Sequence, residues 1–192
     1  MQDFSATRAA ERLAPKPGQR VWDACAAPGG KTCHLAEIMR NQGEILATDI
    51  RSDRLQMVDD SARRLGATII RTQLVDEDGF RLPAGPFDAI LVDVPCSNTG
   101  VLGKRPEARW RITPEGIKEL TRVQFNLLGW ALERLAPGGR LVYSTCSIEP
   151  DENQEIVKKA LNAFPGTRLV EEELFTPGDP ADGAYQALIL KR

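Results

Sequence analysis

The chain has 192 residues, 42% hydrophobic and 27% charged, a composition typical of a single globular domain of ordinary size. No apolar run approaches the roughly 20 residues that a membrane helix needs. The first residues lack the features of a secretory signal, so a cytoplasmic protein is expected. The formal net charge of -2 excludes a protein that holds nucleic acid by its overall charge alone.

Strand-like and helix-like segments alternate along the first half of the chain. This pattern is typical of a mostly parallel sheet covered by helices. In chain order we predict a helix over Phe4–Leu13, a strand through Val21 and Trp22, a helix over Thr32–Met39, a strand over Ile45–Thr48, a helix over Asp53–Leu65 and a strand over Thr68–Thr72.

The second half continues the alternation and then departs from it. We predict a strand over 87–92, a long loop, a helix over 114–135, a strand over Arg140–Ser144, a helix over Glu149–Phe164, and two strands over Arg168–Val170 and Ala184–Leu190. Because no helix separates the last two strands, they are expected to form an antiparallel hairpin at one edge of the sheet. The predicted fold class is α/β, with seven strands and helices on both faces.

The loop after the first strand, Cys25–Thr32, lies where open α/β folds bind ligands. One interpretation is a nucleotide phosphate loop, because the loop ends in Gly30-Lys31-Thr32. That motif requires glycine where Cys25 stands, and Pro28 removes an amide from the segment that would wrap the phosphates. A P-loop ATP-binding module is therefore the weaker alternative.

The second interpretation is a methyltransferase cofactor loop. Asp49 ends the next strand, where a carboxylate can accept hydrogen bonds from both ribose hydroxyls. Asp76, after the third strand, could similarly receive an adenine amino group. A single aspartate at such a position is commonly a helix cap or turn former. Asp49, Asp76 and Asp93 follow three successive strands, and this repetition favours the cofactor interpretation.

Four cysteines are present, too few and too scattered for a disulfide framework. No CxxC spacing indicates zinc, so no metal site is expected. Cys96 and Cys146 follow predicted strands in polar loops where a thiolate could be tolerated, although a cytoplasmic cysteine is more commonly a small buried hydrophobe. Cys25 and Cys33 are assigned to packing.

Four segments together resemble the Nol/Nop/Sun (Fmu) family of RNA cytosine-5 methyltransferases. They are Asp23–Thr32 (DACAAPGGKT), Asp93–Ser97 (DVPCS), Ser144–Ser147 (STCS) and the ending from Asp182 to Lys191, with Gln2-Asp3 near the start. Val94 and Asn98 depart from the family pattern, where alanine and a small residue are expected. The likeness is greatest to bacterial enzymes acting on small-subunit ribosomal RNA.

The resemblance implies a Rossmann-like class I methyltransferase fold and S-adenosylmethionine as cofactor. It implies one catalytic domain over 1–192, without the N-terminal RNA-binding region of the bacterial members, and we expect a monomer. Cys146 is the implied nucleophile, Cys96 assists product release, and Asp93 contacts ring nitrogen 3 of the cytosine. The residues assigned to the cofactor are Cys25, Ala26, Ala27, Pro28, Gly29, Gly30, Lys31, Asp49, Arg54, Asp76 and Asp93. Lys31 could instead be an early helix lysine in solvent.

A basic loop follows Cys96 and is expected to hold RNA, ribosomal RNA on the family's pattern. Its candidate contacts are Lys104, Arg105, Arg109 and Trp110. Cations with an aromatic ring among them suit phosphate contact and base stacking. The alternatives are a solvated surface, with Trp110 as a core anchor, or, for the whole chain, a non-catalytic RNA-binding remnant of the fold.

Overall fold

The computed structural model describes residues 4–178 and 181–192, so Gln2 and Asp3 lie outside the described residues. The described helices are α1 (Phe4–Leu13), α2 (Gly30–Ile38), α3 (Ser52–Leu65), α4 (Pro114–Arg134) and α5 (Gln154–Ala163). The strands are β1 (Arg20–Asp23), β2 (Glu44–Asp49), β3 (Ile70–Leu74), β4 (Phe87–Asp93), β5 (Leu135–Thr145), β6 (Thr167–Phe175) and β7 (Ala184–Lys191).

The strands form one seven-stranded sheet in the order β3-β2-β1-β4-β5-β7-β6. The first five strands in this order pair in parallel, whereas β7 runs antiparallel to both β5 and β6. The strand order reverses between β1 and β4, and ligands of open α/β sheets bind at such a switch point. The predicted fold class and the predicted edge hairpin are confirmed.

Both faces of the sheet are buried, because successive β4 side chains point to opposite sides. Ala89 and Leu91 pack into a cluster with α1, α2 and α3, whereas Ile90 and Val92 pack with α4 and α5. This explains why the 87–92 run is continuously apolar rather than alternating. Among the described helices, none combines the length and apolarity needed to cross a membrane.

The helix predicted over Glu149–Phe164 is broken at Asn153. A short 3-10 turn covers Pro150–Glu152, and α5 begins only at Gln154, because the Asn153 backbone (φ -110°, ψ -105°) leaves the helical region. The break has a consequence for the interior, because the Glu152 side chain is fully buried. Strand β3 also begins two residues later than predicted, at Ile70.

Strand β6 is longer than the predicted Arg168–Val170. Its C-terminal part was not predicted, because it contains three consecutive glutamates, which are uncommon in strands. As the outer strand of the sheet, β6 can carry exposed charge, which also discourages pairing with another sheet edge. Arg12 of α1 pairs with Glu171 at 3.7 Å and with Glu173 at closer range. These ion pairs connect the N-terminal helix to the edge of the sheet.

Candidate active site

The two cysteine motifs meet because β4 and β5 are parallel neighbours in matched register. Asp93 is paired with Ser144, so the loops that follow the two strands start side by side. Cys96 and Cys146 lie in these loops, and their Sγ atoms are 2.9 Å apart. The structure thus brings together two of the predicted catalytic side chains, which are separated by 50 positions in the sequence.

A chain of hydrogen bonds distinguishes the two sulfurs. The Cys146 thiol donates to Oδ1 of Asn98 at 3.2 Å, and Nδ2 of Asn98 donates to the Cys96 carbonyl at 2.9 Å. The hydrogen bond from Cys96 lowers the pKa of Cys146, and the same interaction raises the pKa of Cys96 well above its ordinary value. Cys146 is therefore the sulfur that ionises first, with Cys96 as its donor.

Charged groups around the sulfurs act in both directions. Lys31 Nζ and Asp93 Oδ2 form an ion pair at 2.9 Å, and both side chains are largely buried. Burial disfavours the charged amine, but the Asp93 carboxylate outweighs it, so the pKa of Lys31 is raised. The largest effects on the pKa of Cys146 are the Cys96 hydrogen bond, which lowers it, and burial, which raises it. Among the charged neighbours, Asp93 raises this pKa, whereas Lys31 and Arg105 lower it. Lys31 thus faces the site and not bulk solvent.

The loop after β1 closes tightly onto neighbouring backbone. Ala26 N donates to the Thr48 carbonyl at 2.9 Å, and Gly29 N donates to the Ala26 carbonyl at 2.8 Å. Gly29 has a φ of 100°, and a Cβ on it would lie 3.0 Å from the Cα of Val58. Only glycine combines this backbone conformation with this approach. α2 begins at Gly30, so its first-turn amides lack intrahelical partners.

Asp49 ends β2, and Asp76 follows β3, the neighbouring strand in the sheet. Asp49 is buried, and its Oδ1 accepts a hydrogen bond from Arg51 N at 3.0 Å. Its Oδ2 lies 3.4 Å from Nη1 of Arg54. Arg54 also donates to the Ala27 carbonyl at 2.9 Å, and so ties Asp49 to the β1 loop. Val75 N donates to the Asp49 carbonyl at 3.2 Å, which places Asp76 just beyond. Together with Asp93 at the end of β4, these residues surround the switch point.

Asp23, the last residue of β1, was not singled out from the sequence. One carboxylate oxygen accepts from Thr32 Oγ1 at 2.7 Å, and the other, Oδ1, is buried with no hydrogen-bond partner among the described residues. Burial raises the pKa of Asp23 to about 7, with the nearby Asp93 adding to the effect. An orphaned buried oxygen beside the loop is a place for an external donor such as an ammonium group.

The basic loop forms two 3-10 turns, Thr99–Val101 and Pro106–Trp110. Trp110 is 85% exposed, so it is not a core anchor. Lys104 pairs with Asp182 at 2.7 Å, across the loop before β7. Arg105 lines a cavity of about 210 Å³ that also reaches Cys96 and Asn98. The structure therefore brings Arg105 to the cysteine pair and leaves Arg109 exposed.

The other two cysteines are separate from this pair. Cys25 is half-buried and Cys33 is buried. Burial raises the pKa of both thiols, which disfavours the reactive thiolate at either position. Their assignment to packing stays a prediction that this environment supports.

Comparison with known proteins decides the family. The profile of the family 16S rRNA methyltransferase RsmB/F matches residues 10–189. This chain belongs to the RsmB/F family. The family resemblance predicted from the four motifs is thereby confirmed.

Individual members agree with this placement. Ribosomal RNA small subunit methyltransferase B of Salmonella paratyphi A is 38% identical over 205 residues, covering 100% of this chain and 47% of that protein. The RsmB/F chain described here therefore spans about half the length of the curated relatives it matches.

Solved structures agree as well. NSun6 from Pyrococcus horikoshii, solved with SFG, superposes with a TM-score of 0.90 at 31% identity, covering 99% of this chain and 52% of that one. A methyltransferase homolog protein from Pyrococcus horikoshii gives a TM-score of 0.82 at 33% identity, covering 100% of this chain and 67% of that one. The RsmB/F chain thus has the Rossmann-like methyltransferase fold predicted for it.

Proposed function

We propose that this protein transfers a methyl group from S-adenosylmethionine to carbon 5 of a cytosine in RNA, with ribosomal RNA of the small subunit as the substrate. The observation that carries the proposal is the pair of sulfurs 2.9 Å apart, held at the ends of adjacent strands beside the Lys31–Asp93 ion pair. A ribosomal RNA substrate implies the cytoplasm as the place of action. Family membership favours this function over a P-loop ATP-binding module.

S-adenosylmethionine is the cofactor, and it supplies an electrophilic methyl group on a sulfonium. The residues present fit such a molecule. Asp49 suits the ribose hydroxyls, Asp76 the adenine amino group, and the first-turn amides of α2 the carboxylate. The orphaned Oδ1 of Asp23 suits the ammonium group. SFG, with which the archaeal NSun6 was solved, is an S-adenosylmethionine analogue.

Replacing Asp49 by alanine is expected to weaken S-adenosylmethionine binding by roughly 10- to 100-fold, because charge-assisted hydrogen bonds contribute about 1.5–3 kcal/mol. Isothermal titration calorimetry measures this directly. Asp60→Ala is the matched control, since Asp60 is an exposed α3 residue whose carboxylate pairs with Gln56 and Arg63 of the same helix. Equal affinity of the two variants would exclude Asp49 from the ribose site.

Cytosine needs covalent activation, because its carbon 5 is a poor nucleophile. In the proposed reaction the Cys146 thiolate attacks carbon 6 while the Asp93 carboxyl group delivers a proton to ring nitrogen 3, which neutralises the charge that attack places there. This makes carbon 5 enamine-like, so that it accepts the methyl group. Water then removes the carbon 5 proton, the electron pair expels the Cys146 thiolate, and the nitrogen 3 proton returns to Asp93, which restores the ring.

The sulfur pair suits both the first and the last step of this reaction, the attack by Cys146 and its release. A donor hydrogen bond that stabilises the Cys146 thiolate before attack stabilises the same thiolate as a leaving group. Cys96 Sγ, 2.9 Å away, provides that donor. Its proposed role is therefore product release and not attack, in line with the higher pKa of Cys96.

RNA containing 5-fluorocytosine tests the covalent route, because fluorine cannot leave as the proton does. Incubation of the protein and S-adenosylmethionine with fluorinated small-subunit ribosomal RNA is expected to give an adduct that survives denaturing electrophoresis. A protein that methylates the unmodified RNA but traps no adduct would contradict the covalent mechanism. Mapping the methylated product would identify the cytosine.

Replacing Arg105 and Arg109 together by alanine is expected to weaken RNA binding and to flatten its salt dependence. Each lost phosphate contact reduces the slope of log affinity against log salt by about 0.7–0.9. Binding titrations at several salt concentrations measure both quantities. The control pair Arg63→Ala and Arg64→Ala removes two exposed cations from α3. If the two double variants lose affinity equally, the loop has no special part in RNA binding.

A further inference from the structure

One buried carboxylate joins the two cysteine loops. Glu152 follows β5 in the 3-10 turn that interrupts the predicted helix, and its side chain is 0% exposed. It lies 55 positions from Ser97 in the sequence, and yet Oε1 accepts from the Ser97 amide at 2.9 Å. Oε2 accepts from the hydroxyls of both Ser97 and Ser147.

The two serines are the residues that directly follow the two cysteines. Ser97 succeeds Cys96 and Ser147 succeeds Cys146, so the same carboxylate fixes the chain one residue beyond each sulfur. The serine hydroxyls also lie 3.2 Å from one another, and Thr99 Oγ1 lies 3.0 Å from the Ser147 hydroxyl. The loops are therefore joined through side chains as well as through the β4–β5 pairing.

Glu152 is itself held in place from two directions. Gln124 of α4 donates to Oε1 at 2.9 Å and also to the Pro95 carbonyl at 3.0 Å. The Tyr143 hydroxyl of β5 donates to the Glu152 carbonyl at 2.6 Å. A side chain fixed by both a helix and a strand can transmit their rigidity to the loops.

We propose that Glu152 is the positioning residue that sets the separation of the Cys96 and Cys146 sulfurs. The inference deepens the proposed function and rests on it for its chemical meaning. A carboxylate has roughly four lone-pair sites, and four donors of the protein already use them: the Ser97 amide and hydroxyl, the Ser147 hydroxyl and the Gln124 amide. Glu152 thus acts through the serines and not on the substrate.

The reactivity of Cys146 in the free protein reports this positioning, since its low pKa depends on the Cys96 hydrogen bond. The test is the pH profile of iodoacetamide alkylation at Cys146, followed by mass spectrometry without RNA or cofactor. Glu152→Ala is expected to move the midpoint upward by about one pH unit, which slows alkylation near pH 7 by about tenfold. Glu152→Gln, which keeps the shape and two acceptor contacts, is expected to restore the profile to within about twofold.

Glu155→Ala is the matched control, because Glu155 lies three residues away on α5 and its carboxylate is exposed. A folded Glu152→Ala protein with the profile of Glu155→Ala would overturn the inference, since a merely structural glutamate changes thermal stability but not the thiol midpoint. If Glu152→Ala does not fold, Ser147→Ala replaces it, because it detaches only the Cys146 loop. An unchanged Cys146 profile in that variant would overturn the inference equally.

The assay separates this inference from the proposed function. Alkylation needs neither RNA nor S-adenosylmethionine, so a shifted midpoint supports Glu152 as the positioning residue even if no fluorinated RNA is trapped. Conversely, the wild-type protein could trap the RNA adduct while Glu152→Ala leaves the midpoint of Cys146 alkylation unchanged. That combination would refute only the role of Glu152.

Discussion

Replacing Cys146 by alanine is expected to lower the rate of RNA methylation by about 10³-fold or more, because it removes the group proposed to attack carbon 6. In the wild-type protein the hydrogen bond to Cys146 and burial both raise the pKa of Cys96, and burial still disfavours its thiolate when Cys146 is alanine. Cys96 is therefore a poor substitute nucleophile. Single-turnover methylation of ribosomal RNA measures the rate, and 5-fluorocytosine RNA measures the adduct, which Cys146→Ala is expected not to form.

Cys96→Ala provides the contrasting result. Without Cys96 the pKa of Cys146 rises, so attack is slowed but retained, whereas release loses the donor to the departing sulfur. The variant is therefore expected to accumulate a covalent complex even on unmodified RNA. Cys33→Ala controls for the loss of any thiol, since Cys33 is buried in the α2 side of the core. An adduct formed by Cys146→Ala but not by Cys96→Ala would reverse the assignment of the two cysteines.

Replacing Asp93 by asparagine is expected to move two measurements in opposite directions. Methylation is expected to fall by about 10²- to 10⁴-fold, because an amide cannot deliver the proton that ring nitrogen 3 needs during attack. Alkylation of Cys146 near neutral pH is expected to become faster, because the Asp93 carboxylate acts to raise the pKa of Cys146.

Slower methylation together with faster Cys146 alkylation distinguishes this effect from misfolding. A misfolded protein would lose methylation without a selective gain in alkylation at Cys146. Single-turnover methylation and iodoacetamide alkylation are measured on the same preparation. Asp60→Asn, on the exposed face of α3, is expected to change neither. Methylation by Asp93→Asn at the wild-type rate would remove Asp93 from the chemistry, and slower alkylation would contradict the electrostatic account.

The sequence was most informative about residues at strand ends. Asp49 and Asp93 follow apolar runs, and the carboxyl ends of parallel strands share one edge of the sheet, so their meeting could be predicted from the pattern alone. The same reasoning placed Cys96 and Cys146 in loops at the carboxyl edge of the sheet, and the structure shows that these loops follow neighbouring strands. The matched register of Asp93 and Ser144 then explains why the sulfurs come within 2.9 Å, which no sequence pattern specifies.

Contacts between distant loops could not be predicted. From the sequence, Glu152 was expected to be a polar residue near the start of a helix. The local sequence does not indicate that the helix is interrupted at Asn153. Asn98 was noted only as a departure from the family pattern, although its side chain contacts both cysteines. The charge of Lys104 predicted a contact with RNA. Its ion pair with Asp182 could not be predicted, because the two residues are 78 positions apart in the sequence.

The location of β5 in the sheet has a consequence for motion. Cys146 directly follows this strand, which lies between β4 and β7, whereas the glutamate-rich β6 forms one border of the sheet. Amides in central strands exchange with deuterium mainly through global unfolding, whereas border strands also open locally. Transient fraying at β6 is therefore expected to leave β5 paired with β4 and β7, so that the strand from which the Cys146 loop starts stays in place while the sheet border opens.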